Sequence, residues 1–307
     1  MSLPKKTPAP VTLRQSADEA FATILLHNFQ YLKQYEPVAY KGESIRGVHQ
    51  VRVSYRRMRS AVKNFRRALP RELTDPMAGE MKWFSRELGP ARDLDVFLDE
   101  VLEPLSGKLE PSAGEAKLKE LIQKERESAY NRVRSAIGSK RYRRFCHDFE
   151  IWVKESGWRK RASGKQKKVM DTPIKKYAAK ELERRFVRFV AFGKKRQEMD
   201  DDQLHRLRIQ GKEIRYACEF FTPIFGAQSI QSFVNKMKGV QSILGTVHDM
   251  AVMPEMLDRI AEKAQDDDVT AYIKAIVESR TSARDELMAQ LERDWRSLAG
   301  ARRPWKR

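Results

Sequence analysis

Cysteine is nearly absent from this chain. Only Cys146 and Cys218 occur among 307 residues, far apart, so neither a disulfide framework nor a Cys-based zinc site can be assembled. That usage predicts a reducing compartment, the cytoplasm. Glycine is sparse, at 15 residues, and no stretch alternates polar and apolar residues long enough to propose a strand. No apolar run approaches the ~18 residues of a membrane span, and the opening MSLPKKTPAPVTLRQ has no apolar core of the secretory type. Phosphoryl-transfer and zincin signatures are missing too: there is no G-x-x-x-x-G-K-[ST], no G-x-G-x-x-G and no H-E-x-x-H. Acids are also in deficit. The 42 Asp and Glu face 61 Lys and Arg, a formal charge of +19. An excess of that size predicts a polyanionic partner: nucleic acid, an anionic membrane surface or a phosphate polymer.

What the chain does have is helical periodicity. Residues 1–14 read as a disordered arm, 15–156 as a first helical half, 157–172 as a Lys/Gly/Ser-rich linker, 173–300 as a second half and 301–307 as a basic tail. In the first half, helices are expected over 17–35 (punctuated by Pro37 and Gly42), 48–69, 75–88 (ended by Gly89-Pro90), 91–105, 115–137 and 142–154. In the second they are expected over 174–192, 204–225, 231–244 (ended by Gly245), 249–262 and 271–298. Short connections between such helices predict antiparallel packing.

One stretch recurs. VHQVRVSYRRMRSAVKNFRRAL, from Val48, returns 156 positions later as LHRLRIQGKEIRYACEFFTPIF, from Leu204. In each copy a His is followed at +3, +7 and +10 by a base: His49, Arg52, Arg56, Arg59, and His205, Arg208, Lys212, Arg215. On a helix these four fall within an arc of roughly 80°, about 120° round from the apolar line. Each stripe therefore flanks a buried face, at the rim of a groove, where long basic stems pack and their heads stay wet. The match continues downstream: Leu88-Gly89-Pro90-Ala91-Arg92-Asp93 aligns with Leu244-Gly245-Thr246-Val247-His248-Asp249 at the same offset. An internal duplication is the expectation.

Like charges three and four residues apart weaken an isolated helix, so two such stripes favour a ligand that neutralises them. Arg offers a planar fork to phosphate oxygens and Lys a compact charge. A row of both suits a chain of phosphates. Lys63, with Arg66 and Arg67, prolongs the first stripe, and Lys82, Lys238, Arg86 and Arg92 are candidates for the opposite wall. The alternative is a set of ion pairs with neighbouring acids. For His49 and His205, a hydrogen bond to the anion competes with a core or capping role; a metal is disfavoured, since neither has a ligand at i+4. Asp93 and Asp249 are expected to orient an Arg or cap a helix. Glu181-x-Glu183-x-Arg185 is set aside as catalytic, because alternate residues on a helix diverge.

At VHQVRVSYRRMRSAVKNF, LHRLRIQGKEIRYACEFF, LGPARDLDVF and LGTVHDMAV, with a weaker match at SKRYRRF, the chain resembles the CHAD domain, the conserved histidine α-helical domain. That resemblance implies an all-α fold of two antiparallel four-helix bundles related by pseudo-twofold symmetry, with basic residues facing a shared cleft or pore. It also implies binding of inorganic polyphosphate and association with polyphosphate granules and the proteins on them. Its binders carry over to His49, Arg52, Arg56, Arg59, His205, Arg208, Lys212 and Arg215, with Lys82 and Lys238 in support. His248 departs from the pattern, which has Arg beside Asp249. The expected protein binds polyphosphate without chemistry, cofactor or metal. The alternatives are a nucleic-acid binder and an enzyme, or accessory subunit, acting on phosphate polymers; against the first, the stripes lack interleaved aromatics.

Overall fold

A computed structural model describes residues 7–69, 71–110, 112–281 and 284–306. The fold is all-α: among the described residues there is no strand, only a lone bridge between Ser16 and Pro173. The first half runs α1 (Ala17–Lys41), α2 (Ile45–Asn64), α3 (Arg71–Glu87), α4 (Gly89–Val96), a π turn over 97–102, α5 (Glu103–Leu105), α6 (Ser112–Gly138) and α7 (Lys140–Lys154). After α8 (Gly164–Met170), the second half runs α9 (Ile174–Phe192), α10 (Asp201–Phe220), α11 (Thr222–Phe225), α12 (Ala227–Ala264), α13 (Asp267–Thr281) and α14 (Arg284–Ala299). Of the arm expected at the N-terminus, residues 1–6 lie outside the described residues, while Ala9 and Val11 are buried.

Several helix ends differ from expectation, each for a local reason. Helix α1 passes through Pro37 to Lys41, because Tyr35 and Ala39 are buried on either side and Gly42, at φ +73°, closes it in the left-handed conformation. The motif helices stop at Asn64 and Phe220, five residues early, each followed by turns or a short helix. Gly89-Pro90 does separate α3 from α4, since Pro90 lacks an N–H and sits in the first turn. Gly245 separates nothing. The matching position to Pro90 is Thr246, and α12 runs unbroken for 38 residues with Ile243, Leu244 and Val247 buried. Glycine costs a helix about 1 kcal/mol, and burial outweighs that. Of the helix expected over 271–298, α13 and α14 are described and residues 282–283 between them lie outside the described residues; α13 packs on both α6 of the first half and α12, and α14 packs on α12.

Close approach of backbones sets the first bundle. Gly47 of α2 faces Val38 and Ala39 of α1, where an added Cβ would lie 2.5 Å from the Ala39 nitrogen. Gly47→Ala is expected to cost about 1–3 kcal/mol by forcing the helices apart. The check is a fall in the urea midpoint at unchanged slope. The basic segment 157–172 is docked rather than strung out: Trp158 is fully buried with its ring 4.9 Å from Phe21, and Arg159 bridges Asp18 and Asp171.

The halves meet along α2 and α10. Arg57 of α2 pairs with Glu219 of α10, and Lys63 of α2 pairs with Glu213 of α10 at 2.6 Å. Positions 57 and 213 match under the 156-residue offset, as do 63 and 219, so the two contacts are reciprocal with the charges exchanged. Phe65 and Phe221, also matching positions, touch edge to face at 5.9 Å. The stripes are thereby brought side by side.

Candidate anion-binding cleft

Helix α2 carries Arg52, Arg56 and Arg59, and α10 carries Arg208, Lys212 and Arg215, all half-buried except the exposed Arg56. The two stripes lie within electrostatic range of each other on packed helices. Arg56 lies close enough to α10 to repel both Arg208 and Lys212. Across the same gap, Asp93 of α4 feels the charge of Asp249 of α12. Burial, then repulsion from Arg208 and Arg56, pulls Lys212 down to about 7. Burial disfavours the ammonium first, and the neighbouring guanidinium groups disfavour it further.

The first base of each stripe is anchored. Arg52 donates from Nη1 to the Ser85 carbonyl at 2.8 Å and lies against Gly89, where an added Cβ would come within 3.3 Å of it. Arg208 lies over Gly245 in the same way and reaches Asp249 Oδ1 at 3.8 Å. This accounts for the paired H-x-x-R and L-G-x-x-x-D motifs. The glycine leaves room for the guanidinium, and the Asp one turn on helps to orient it.

The remaining bases divide into engaged and open. Among the described residues, Arg56, Arg59, Lys212, Lys82, Arg86 and Lys238 have no carboxylate within ion-pair distance. Burial, then repulsion from Arg56 and Arg86, lowers the Arg59 pKa, which puts Arg86 of α3 on the cleft wall. Lys63 and Arg215 are engaged at the seam, Lys63 by Glu213 and Arg215 by Glu219 and by Gln241 Oε1 at 2.8 Å. Arg66 pairs with Asp75, and Arg67 reaches the buried Glu181 at 3.6 Å, so the continuation of the first stripe is consumed by ion pairs. Arg92 faces Glu100 at 3.4 Å. Lys82 and Lys238 are exposed on α3 and α12 and are not joined to the stripes by any described contact. Glu181 and Glu183 are also spent, the first on Arg184 and the second on Arg303, Lys306 and the Trp305 indole.

His49 is half-buried near the start of α2. His205 turns toward His248 of α12, with Nδ1 to Nδ1 at 3.1 Å and ring centroids 4.1 Å apart. Burial, then the charges of Arg208 and Lys212, holds His205 below its usual range; burial and His205 itself, with the same two bases, bring His248 to about 4. In the bare cleft these imidazoles are neutral at pH 7. Sequence reasoning missed this pairing, although the departure at position 248 was its signal. It also missed Arg280 of α13, which donates to the Glu100 carbonyl at 2.6 Å and lies near Asp249. Nothing in the sequence connects α13 to the first half. Among the described residues no three His, Cys, Asp or Glu are grouped to hold a metal, and no helix is long and apolar enough to cross a membrane.

Comparison with known proteins bears on this geometry. No curated protein matches the chain. Among solved structures, the CHAD domain from the plant Ricinus communis is similar over 97% of this chain and 98% of that one, at 25% identity and a TM-score of 0.72. PptA from Streptomyces chartreusis shares the fold, with a TM-score of 0.68 over 92% of this chain and 100% of that one, at 15% identity. The model of the CHAD domain matches residues 23–258, a span that takes in both stripes, both anchoring glycines and both acids of the cleft. On that match, this chain belongs to the CHAD domain family.

Proposed function

We propose that the cleft binds inorganic polyphosphate and releases it chemically unchanged. One observation carries the reading: Arg56 of α2 lies within repulsive range of Arg208 and Lys212 of α10, and among the described residues neither Arg56, Lys212 nor Arg59 has a carboxylate within ion-pair distance. A linear polyanion laid between the stripes relieves that repulsion, displaces its own counterions and gains from several contacts made together. The CHAD family's association with polyphosphate supports the same ligand. A place on cytoplasmic polyphosphate granules, with granule proteins as neighbours, follows as part of the proposal. The reciprocal seam contacts support an origin of the halves by duplication.

The test is a salt titration of binding to long-chain polyphosphate beside double-stranded DNA and RNA of equal phosphate content. Polyphosphate is expected to stay bound at salt concentrations that strip both nucleic acids. Equal affinities that collapse together would leave only the net charge of +19 at work and withdraw the assignment. Incubation of the bound polymer with magnesium or manganese is expected to release no phosphate; steady release would replace a binding protein with a hydrolase.

A further inference from the structure

His248 stands where the 156-residue offset places Arg92 in the first half. Arg92 is a permanent cation, drawn loosely toward Glu100. His248 is instead turned onto His205, and a hydrogen bond between two Nδ1 atoms holds a single proton: one ring donates and the other accepts through its lone pair. A second proton at that contact would set two N–H groups against each other. The surroundings act in both directions. Arg208 and Lys212 of α10 oppose protonation, and Asp201 and Asp202 at the start of α10 favour it. Asp201 is already engaged by Arg284 of α14, and Asp249, next to His248, is drawn by Arg208, Lys212 and Arg280. Burial, together with the bases, outweighs the acids and holds both rings below the usual imidazole range.

We infer that His205 and His248 form a subsite for one phosphate group of the bound chain, taking up as many as two protons from water as the anion arrives. The inference rests on the polyphosphate reading and adds a proton dependence to it. Burial does most to keep the rings neutral and the fields of Arg208 and Lys212 add to it; an arriving phosphate offsets those two fields and stabilises the imidazolium form. Each ring then carries N–H on both nitrogens, the Nδ1–Nδ1 bond opens, and the freed donors turn to phosphate oxygens. The second half thereby gains, on demand, the cation that Arg92 supplies permanently in the first.

The sign follows from linkage. Protonation is suppressed in the free protein and restored in the complex, so binding takes up protons and tightens as pH falls. The gain begins at the bound-state pKa values and levels off below the free-state value of His248, about 4. Affinity rises by up to tenfold per pH unit for each proton taken up. Lys212 titrates too and contributes its own pH dependence, so the informative quantity is a difference between variants.

The experiment compares the full chain with His248→Gln and His248→Arg, each shown folded by circular dichroism. Affinity for long-chain polyphosphate is measured from pH 8 to pH 5.5, and proton uptake by calorimetry in buffers of different ionisation enthalpy. The native protein is expected to gain about tenfold more affinity than His248→Gln over that range and to take up more protons. His248→Arg is expected to bind at pH 8 as the native protein does in acid. Equal pH profiles and equal proton uptake in native and Gln proteins, with tight binding in both, would overturn the subsite and leave the polyphosphate reading standing. No binding by the native protein at any pH would remove both.

Discussion

Arg56→Glu is expected to lower the affinity for long-chain polyphosphate by about a hundredfold or more, the largest single loss available in the cleft. Arg56 is the base that faces both stripes, within repulsive range of Arg52 on its own helix and of Arg208 and Lys212 on the other. Reversal removes one contact to the polymer and sets a negative charge in its path. Two or three charge interactions of about 1 kcal/mol each, typical of wet clefts, amount to roughly two powers of ten. Stability is expected to move the other way. The repulsion that Arg56 adds to the burial of Lys212 becomes attraction, so the melting temperature holds or rises while binding falls. Native-like affinity in the folded variant would place the polymer elsewhere.

Glu219→Ala is expected to destabilise the protein by about 3–5 kcal/mol, the cost of leaving a buried charge without its partner. Glu219 compensates two bases at once, Arg57 across the seam and Arg215 on its own helix. The Arg57 side chain is only 12% exposed; it reaches Glu219 through Nη2, and its buried Nε has no hydrogen-bond partner among the described residues. Lys63→Ala, at the reciprocal contact, is expected to cost less than about 1 kcal/mol, because Lys63 is half exposed and water replaces its partner. Denaturant melts of both variants provide the check. The double change Arg57→Met with Glu219→Leu is expected to restore the part of the loss that comes from Arg57, since an apolar pair needs no compensation, and to leave the part that comes from Arg215. A Glu219→Ala protein as stable as the native one would mean that Arg57 finds water in the seam.

The stripes were legible because they depend on one period and one residue type. Spacing alone put Arg52, Arg56 and Arg59 on one face, and repetition at 156 marked the second set. What spacing could not reveal was which bases the fold would consume. Glu213 and Glu219 sit in plain view on the second motif helix, yet their partners Arg57 and Lys63 are on the first, and only the reciprocal packing of α2 on α10 joins them. Glycine was over-read as punctuation. Gly89 ends a helix because Pro90 follows it, whereas Gly245 stays helical and serves mainly as a flat bed for Arg208. Pro37 was over-read likewise, since a buried last turn outweighs a missing hydrogen bond. The His205–His248 pair and Arg280 depend on helix placement over 43 and 180 positions, respectively, which no local pattern encodes.

The loss of Lys63, Arg66, Arg67 and Arg215 to ion pairs makes the open part of the cleft short. From Arg52 to Arg59 the helix rises only about 10 Å, room for a short segment of a long polymer. On the proposed reading, a single molecule grips a small segment and the rest of the polymer runs free on either side. A long chain then behaves as a one-dimensional lattice of overlapping, identical footholds. Occupancy scales with polymer length, many protein copies thread one strand like beads, and each can shift along it one phosphate at a time without letting go.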